Sequence, residues 1–340
     1  MHTLVERSDA PRVPSVNADV WTYLALAFLF SWGAWIVAVK FHAREEFLNF
    51  GTAGPAFAAM VLSRRRQTAS PRRPWLRGAT FFLLLIICWI ALSWHYSWRS
   101  NPDLTLGLNP WLIAPATFPA WIVSGLFSQD SGVSSFLKRL VHAPSPWSLI
   151  ALLILPAILL VPALFAHLFH QPLVMPEQQG SAVAGVASAA VFFLYNVFFV
   201  AVLEEPGWRG FLLDRLQQRW SPLMASLFVW LPWALWPAPL DYFRPVRFSL
   251  SVYLQLRVAF LIPIVIILTW LYNRSGRSIQ ATAIFHASMN TFPFVLPYFA
   301  PGFGLLFVVA VCAVIGDRMW RRQGGGPAAA VDGATREIPA

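Results

Sequence analysis

Long apolar runs separated by short polar segments dominate this chain. Ten of these runs approach the ~20 residues that a helix needs to cross a bilayer. They are Val20–Val39, Phe47–Leu62, Ala79–Trp98, Trp111–Phe127, Trp147–Phe169, Val183–Leu203, Ser221–Trp236, Tyr253–Tyr272, Ile279–Tyr298 and Gly302–Gly316. The second and seventh runs are the least typical of a span, although the small residues of the second suit close helix packing. The pattern predicts an all-α fold, a polytopic transmembrane helix bundle of about eight to ten spans.

The composition supports a membrane protein. Charged residues make up 12% of the 340 residues and hydrophobic residues 57%, whereas soluble domains carry about 25% charged residues. The net charge of +10 does not indicate that the protein binds nucleic acid, because no basic amphipathic face or soluble module accompanies it. Cys88 and Cys312 lie in apolar runs and are expected to be small buried hydrophobes.

The basic residues predict the orientation. With the N-terminus inside, 19 of the 25 lysines and arginines fall in cytoplasmic segments, as the positive-inside rule requires. We therefore expect an integral membrane protein with both termini cytoplasmic and the lipid bilayer as its surroundings.

Four regions follow from these patterns. Residues 1–19 form a cytoplasmic N-tail that does not resemble a cleavable signal, so the run beginning at Val20 is expected to stay as an anchor. Residues 20–109 form N-terminal transmembrane helices, and residues 110–318 form a membrane core that carries the candidate chemistry. Residues 319–340 are rich in glycine and alanine and are predicted to be a disordered C-tail.

The pair Glu204 and Glu205 is the first candidate for chemistry. A charge at bilayer depth costs at least ~2.5–3.5 kcal/mol, so such residues normally have a partner and a function. Arg209 follows Glu205 by four residues and would share its helix face. The structural interpretation is a buried ion pair that fixes helix packing. The functional interpretation is a general base, or a metal ligand that activates water.

A second candidate pair is His286 and Asn290, which are also spaced by four residues. A lone intramembrane histidine is often a satisfied core residue, but the pair is more typical of a site that holds a metal or stabilises an oxyanion. Counted from Arg215 and Arg274, which are expected to mark the inner boundary of the membrane, Glu204 and His286 both lie roughly 16–18 Å deep if the helices continue. We therefore expect them to meet near the middle of the bilayer.

These stretches resemble the CAAX-protease and bacteriocin-processing family of intramembrane proteases, also called Abi or Rce1-like. That family has a Glu-Glu pair followed by arginine, then Phe-x-x-x-His, then His-x-x-x-Asn. Glu204, Glu205 and Arg209 match the first motif, and His286 and Asn290 match the third. The resemblance covers roughly residues 110–300. It implies a hydrolase, an intramembrane endopeptidase in which all five residues are catalytic and glutamate-activated water attacks a membrane-associated peptide or protein.

The second motif departs from the family pattern. Trp233 stands where the family has phenylalanine, and Pro237 stands where it has histidine. Zinc normally has three protein ligands plus water, so Glu204, His286 and Asn290 alone would form a poor zinc site. The departure leaves two alternatives to an active protease open. One is a pseudo-protease that acts as an immunity or scaffolding protein, and the other is a transporter that uses the carboxylates as an ion site.

Overall fold

The structure is a computed structural model that describes residues 16–41, 49–64, 74–100, 107–141, 145–175, 182–243, 252 and 254–322. These residues are almost entirely helical, and the pairing of Val174 with Tyr298 is an isolated bridge rather than part of a strand. Seven helices within the described ranges are long and apolar enough to cross a membrane. They are Ala18–Lys40, Trp75–Ser97, Pro110–Phe127, Pro146–Leu168, Ala189–Gln217, Pro222–Leu240 and Arg257–Arg274. The prediction of an all-α polytopic bundle is confirmed.

We label the α-helices in chain order. They are α1 (Val16–Lys40), α2 (Gly54–Leu62), α3 (Pro74–Ser100), α4 (Ile113–Ser124), α5 (Ser131–Leu137), α6 (Pro146–Leu168), α7 (Ala182–Asn196), α8 (Val202–Glu205), α9 (Asp214–Gln217), α10 (Pro222–Leu235), α11 (Ala238–Phe243), α12 (Leu261–Arg274), α13 (Ile279–Val295) and α14 (Leu305–Gly316). The remaining pieces are a single turn, Asn49–Thr52, the 3₁₀ turns Pro110–Leu112, Gly125–Phe127, Lys138–Val141 and Ala300–Gly304, and the π-helical segments Val197–Ala201, Pro206–Leu213 and Leu254–Ala259.

Three of the ten predicted spans are shorter helices than expected. The second corresponds to an apolar helix over Phe50–Leu62 and the tenth to one over Ala300–Gly316. The ninth corresponds to α13, whose 17 residues include several polar side chains. Each of these helices contributes buried residues to the interior. These three helices therefore contribute to the packing of the core.

The sixth predicted span ends too early in the sequence analysis. Instead of ending at Leu203, one helix continues over Ala189–Gln217, which we call the motif helix. Pro206 does not end it because the backbone changes to π-helical spacing over Pro206–Leu213. Such local π adjustments re-satisfy the backbone groups that a proline frees inside a membrane helix. The irregular backbone expected at Pro206-Gly207 is therefore a continuous helix.

The centre of the motif helix is the centre of the bundle. Every residue from Ala201 to Leu213 is buried, so other helices cover it on all sides. Its approach to α2 is the closest, since a Cβ added to Gly207 would lie 2.5 Å from the backbone of Pro55. A small residue allows this approach. The packing places the glutamates and Arg209 away from lipid.

Ion pairs join several helices at the C-terminal end of the motif helix. They are Arg215–Asp19, Arg139–Asp214, Arg277–Asp214 and Arg274–Asp317. These pairs connect the motif helix to α1, to the segment after α5 and to the turn after α12, and they connect the end of α12 to the segment after α14. The described part of the chain continues beyond α14 as far as Arg322. Met319 is buried there, and its carbonyl accepts a hydrogen bond from Leu223 N near the N-terminus of α10. Residues 323–340 of the predicted C-tail, and 1–15 of the N-tail, lie outside the described residues.

Candidate active site

Glu205 is the centre of the polar cluster. Its Oε1 accepts a hydrogen bond from Arg209 Nη1 at 2.7 Å and lies 2.8 Å from His286 Nδ1. Glu205 and Arg209 are completely buried, so neither charge is hydrated. Their ion pair compensates for the lost hydration. The predicted pairing of Glu205 with Arg209 is present, whereas His286, which was expected to meet Glu204, makes its hydrogen bond to the adjacent Glu205.

Glu204 has a different environment from its neighbour. Its Oε2 accepts a hydrogen bond from Trp233 Nε1 at 2.9 Å, and its side chain is not part of the ion pair with Arg209. Glu204 keeps 6% of its surface exposed, whereas Glu205 has none. Adjacent positions on a helix point about 100° apart, which explains why the two carboxylates meet different partners. Glu204 is thus the less completely buried of the two carboxylates.

Arg209 is only partly satisfied. Its guanidinium carbon lies 4.2 Å from the centre of the Trp233 ring, a cation–π contact. Among the described residues, Arg209 Nε, Arg209 Nη2 and Glu205 Oε2 have no hydrogen-bond partner. Leaving a buried donor or acceptor unpaired lowers the stability of the fold. The site therefore keeps two donors and one acceptor that are free to bind another molecule.

The position of His286 depends on the turn that precedes α13. Gly276 adopts a φ of +70° and Arg277 one of +65°, left-handed values that glycine adopts at no steric cost and that reverse the chain after α12. The Ser278 side chain then caps α13 by accepting from Ala281 N at 3.3 Å. His286 lies two turns further on. Its ring is perpendicular to that of Trp233, with centres 5.4 Å apart.

Asn290 is less closely joined to the cluster than the sequence suggested. It is half-buried on the same face of α13 as His286, four residues on. Within the described part of the chain it makes no hydrogen bond with Glu204, Glu205 or His286. The next residue, Thr291, instead accepts a hydrogen bond from buried Asn196 of the motif helix at 3.1 Å. Asn290 is thus near the site with its amide uncommitted to these three groups.

Pro237 occupies a buried position just after α10 and brings no polar side-chain atom to the site. The other histidines in the described part of the chain do not supply one. His167 and His170 are exposed at the C-terminal end of α6, and His95 stacks on Tyr195 with ring centres 4.2 Å apart. Asp241 lies outside the residues whose side chains are described.

Sequence reasoning missed two aromatic residues of the cluster. Trp233, which the sequence shows only as a departure from the second family motif, contacts Glu204, Arg209 and His286. Its place in the second family motif was a signal that could have identified it. Tyr23 of α1 is fully buried against Trp208, with ring centres 5.9 Å apart. Nothing in the local sequence of α1 predicts that contact.

The donor set does not fit a zinc ion. Among the described residues, no three histidine, cysteine, aspartate or glutamate side chains converge on a metal position. Oε1 of Glu205 is already shared by Arg209 and His286, and the guanidinium charge adjoins the site. Asn290 is a weak ligand and Pro237 is none, so three strong ligands are not available.

A second arginine network lies at the end of the motif helix. Arg139 donates to Asp214 at 2.6 Å, to Tyr272 at 2.7 Å and to the carbonyl of Gly210 at 2.6 Å. Burial opposes the charge on Arg139, but the oxygens of Tyr272 and Asp214 outweigh it and raise the pKa of Arg139. This network joins α5, the motif helix and α12, and the sequence analysis did not anticipate it.

Comparison with known proteins covers the same region. A family model described as Type II CAAX prenyl endopeptidase Rce1-like matches residues 186–292, a stretch that contains both glutamates, Arg209, His286 and Asn290. The chain is also similar to CAAX prenyl protease 2 of Methanococcus maripaludis. The two are 25% identical over 254 residues, which cover 70% of this chain and 93% of that protein. The resemblance drawn from the motifs is therefore confirmed by the match to the Rce1-like family model and by the similarity to a CAAX prenyl protease.

Proposed function

We propose that this protein is an intramembrane endopeptidase that cleaves a membrane-associated peptide or protein, with Glu204 as the general base. The observation that carries the proposal is the unequal engagement of the two glutamates. Glu205 is held by Arg209 and His286, whereas Glu204 has one hydrogen bond and the only exposed surface of the pair. A general base needs an accessible oxygen within reach of the water that it activates.

The chemistry assigned to the cluster is peptide hydrolysis. Glu204 takes a proton from water as the oxygen attacks the scissile carbonyl carbon, and the same proton can pass to the departing amine as the C–N bond breaks. Glu205 orients the His286 ring through Nδ1 and leaves Nε2 as the ring atom available to substrate. His286, with a proton on Nε2 as well as on Nδ1, and the Asn290 amide N–H are proposed to stabilise the oxyanion, a contribution of roughly 10²–10³-fold per donor in other enzymes.

We propose that this reaction needs no metal in this chain, because the donor set lacks three strong ligands. The substrate proposed is a peptide or membrane protein. The Methanococcus maripaludis relative is named as a prenyl protease. Comparing the cleavage of prenylated and unprenylated versions of one peptide decides whether this protein needs a prenyl group.

The test is cleavage of a membrane-peptide library by purified protein in detergent and in liposomes. Wild type is expected to cleave, and Glu204→Gln is expected to lose about 10²–10⁴-fold in rate while unfolding at an unchanged temperature. Cleavage is expected to persist in a chelator such as 1,10-phenanthroline. Cleavage that Glu204→Gln does not reduce would refute the assignment of the base, and abolition by chelator followed by recovery with zinc would refute the metal-free mechanism.

A second candidate function is favoured by Pro237. Because the second family motif lacks its histidine, the fold could serve as a pseudo-protease that binds a membrane partner, as an immunity or scaffolding protein. That function predicts no cleavage by folded wild type and a gain of cleavage in Pro237→His. Glu204-dependent cleavage by wild type would exclude it.

We propose that the end of the bundle bearing the Asp214 ion pairs faces the cytoplasm of a bacterial cell. The basic residues concentrate on that side of the predicted topology, and Arg215, Arg139 and Arg277 meet there. Labelling of a cysteine introduced at exposed Arg219 by a membrane-impermeant maleimide tests this orientation. Labelling only after the inner membrane is permeabilised is expected.

A further inference from the structure

One side chain links the three functional groups of the site. Trp233 of α10 donates its indole N–H to Glu204 Oε2 at 2.9 Å. The face of the same ring lies against Arg209, whose guanidinium carbon is 4.2 Å from the ring centre. The His286 ring meets it edge to face, with centres 5.4 Å apart. Trp233 is buried, so these contacts are made out of water.

From this geometry we infer that Trp233 is the positioning residue for Glu204, and that its indole N–H replaces the polar donor absent at position 237. The inference rests on the proposed function, since it concerns the same general base. Trp233 acts through Glu204 and is not assigned a contact with substrate.

The hydrogen bond has a consequence for the orientation of the carboxylate. With Oε2 held by the indole, the plane of the Glu204 carboxylate is fixed and its other oxygen is the one available to water. A fixed, well-oriented base is the arrangement that general-base catalysis requires. A freely rotating carboxylate would spend much of its time out of reach of the reacting water.

The aromatic ring has a separate consequence for charge pairing. Because the ring face covers Arg209 and the ring edge contacts Glu204, the indole is placed between the guanidinium and this carboxylate. Arg209 pairs with Glu205 instead. A Glu204 carboxylate paired with an arginine would be a weaker base, so the ring keeps the two glutamates in different roles.

Position 237 explains why the tryptophan is needed in this chain. Pro237 follows Trp233 by four residues and is buried, so the two positions fall on neighbouring parts of one face. Proline has no donor, and phenylalanine at 233 would have none either. In the described structure, the hydrogen-bond donor that the second motif supplies to Glu204 is therefore the indole N–H of Trp233.

The first test compares Trp233→Phe with Trp230→Phe. Phenylalanine at 233 keeps an aromatic face for Arg209 and removes the N–H together with part of the bulk of the indole. Trp230 is the matched control, because it lies on the same helix and its indole donates to a backbone carbonyl, that of Val258, at 2.8 Å. We expect kcat to fall roughly 10- to 100-fold in Trp233→Phe, as for a lost hydrogen bond to a charged group, with KM changed less than threefold. Equal kcat values for the two variants would overturn the inference.

Rescue distinguishes the N–H from the bulk of the indole. The double variant Trp233→Phe, Pro237→His restores a donor one turn away on the same face. It is expected to recover at least tenfold of the lost kcat. Failure to recover any activity, in protein that unfolds at the temperature of Trp233→Phe, would mean that the site requires the indole ring itself, and would overturn the assignment of the N–H.

A spectroscopic readout separates this inference from the proposed function. The ¹⁵N-indole NMR spectrum of the protein in detergent contains signals from 17 tryptophans, and the signal lost in Trp233→Phe identifies Trp233. Glu204→Gln is expected to shift that signal and to leave the Trp230 signal in place. An unmoved Trp233 signal would overturn the inference whether or not the protein is active. A shifted signal in a protein that cleaves nothing would support the contact and refute the protease.

Discussion

Two arginine networks lie on the motif helix, and they differ in how fully their polar atoms are paired. The inner network of Glu205, Arg209 and His286 is buried, yet three of its polar atoms have no partner among the described residues. The outer network of Arg139 and Asp214 retains some exposure, and Arg139 makes hydrogen bonds to a carboxylate, a phenol and a backbone carbonyl.

This difference identifies which network is structural. A fully bonded network holds its helices together and has little capacity left for another molecule. An incompletely bonded network in a dry interior costs stability and persists where the spare donors and acceptors have a use. The outer network therefore fixes the end of the motif helix, and the inner network is the candidate for chemistry.

The largest expected effect on stability comes from breaking the inner pair. Arg209→Met should lower the free energy of unfolding by about 3–5 kcal/mol, because it leaves Glu205 buried without its countercharge. Thermal unfolding in one detergent measures it. Removing both charges with Glu205→Gln, Arg209→Met should cost less than Arg209→Met alone. A single-variant loss below about 1 kcal/mol would mean that water reaches Glu205.

An intermediate effect is expected at the outer network. Arg139→Met should cost about 1–2 kcal/mol, since Asp214 keeps Tyr272 and Arg277 as partners. Cleavage per folded molecule should be unchanged. Lys138→Met is the matched control, because it removes the same charge at the exposed neighbouring position. A larger loss of activity than of folded protein in Arg139→Met would show that the outer network also serves the site.

The sequence predicted the parts of this molecule that depend on local pattern. The apolar runs located the seven long helices, and the spacing of four residues between Glu205 and Arg209 predicted their pairing. The equal distances of Glu204 and His286 from flanking arginines placed both at one depth. His286 in fact meets the adjacent Glu205, since the phase of a helix about its axis depends on tertiary packing.

The remaining features depend on contacts between distant segments. The sixth predicted span ends at Leu203 because the apolar run ends there, and local sequence does not reveal that the helix continues with π-helical spacing over Pro206–Leu213. The role of Trp233 was missed because an aromatic residue in an apolar run is ambiguous until its neighbours are known. Arg139 and Asp214 are 75 residues apart, and no periodicity links them.

The smallest expected effect is at the pair of Arg215 and Asp19. This pair is the most exposed of the three arginine–carboxylate pairs made at the motif helix by Arg209, Arg139 and Arg215. The arginine side chain is 0% exposed at Arg209, 24% at Arg139 and 32% at Arg215, where the pair is 3.4 Å long. Arg215→Met should cost no more than about 1 kcal/mol, and the difference from wild type should shrink as salt is raised from 0.1 to 1 M because exposed pairs are screened. Thermal unfolding at both salt concentrations measures this. A loss of unfolding free energy larger than that of Arg139→Met would contradict this prediction. It would mean that the attachment of α1 to the motif helix stabilises the protein more than the burial of an ion pair does.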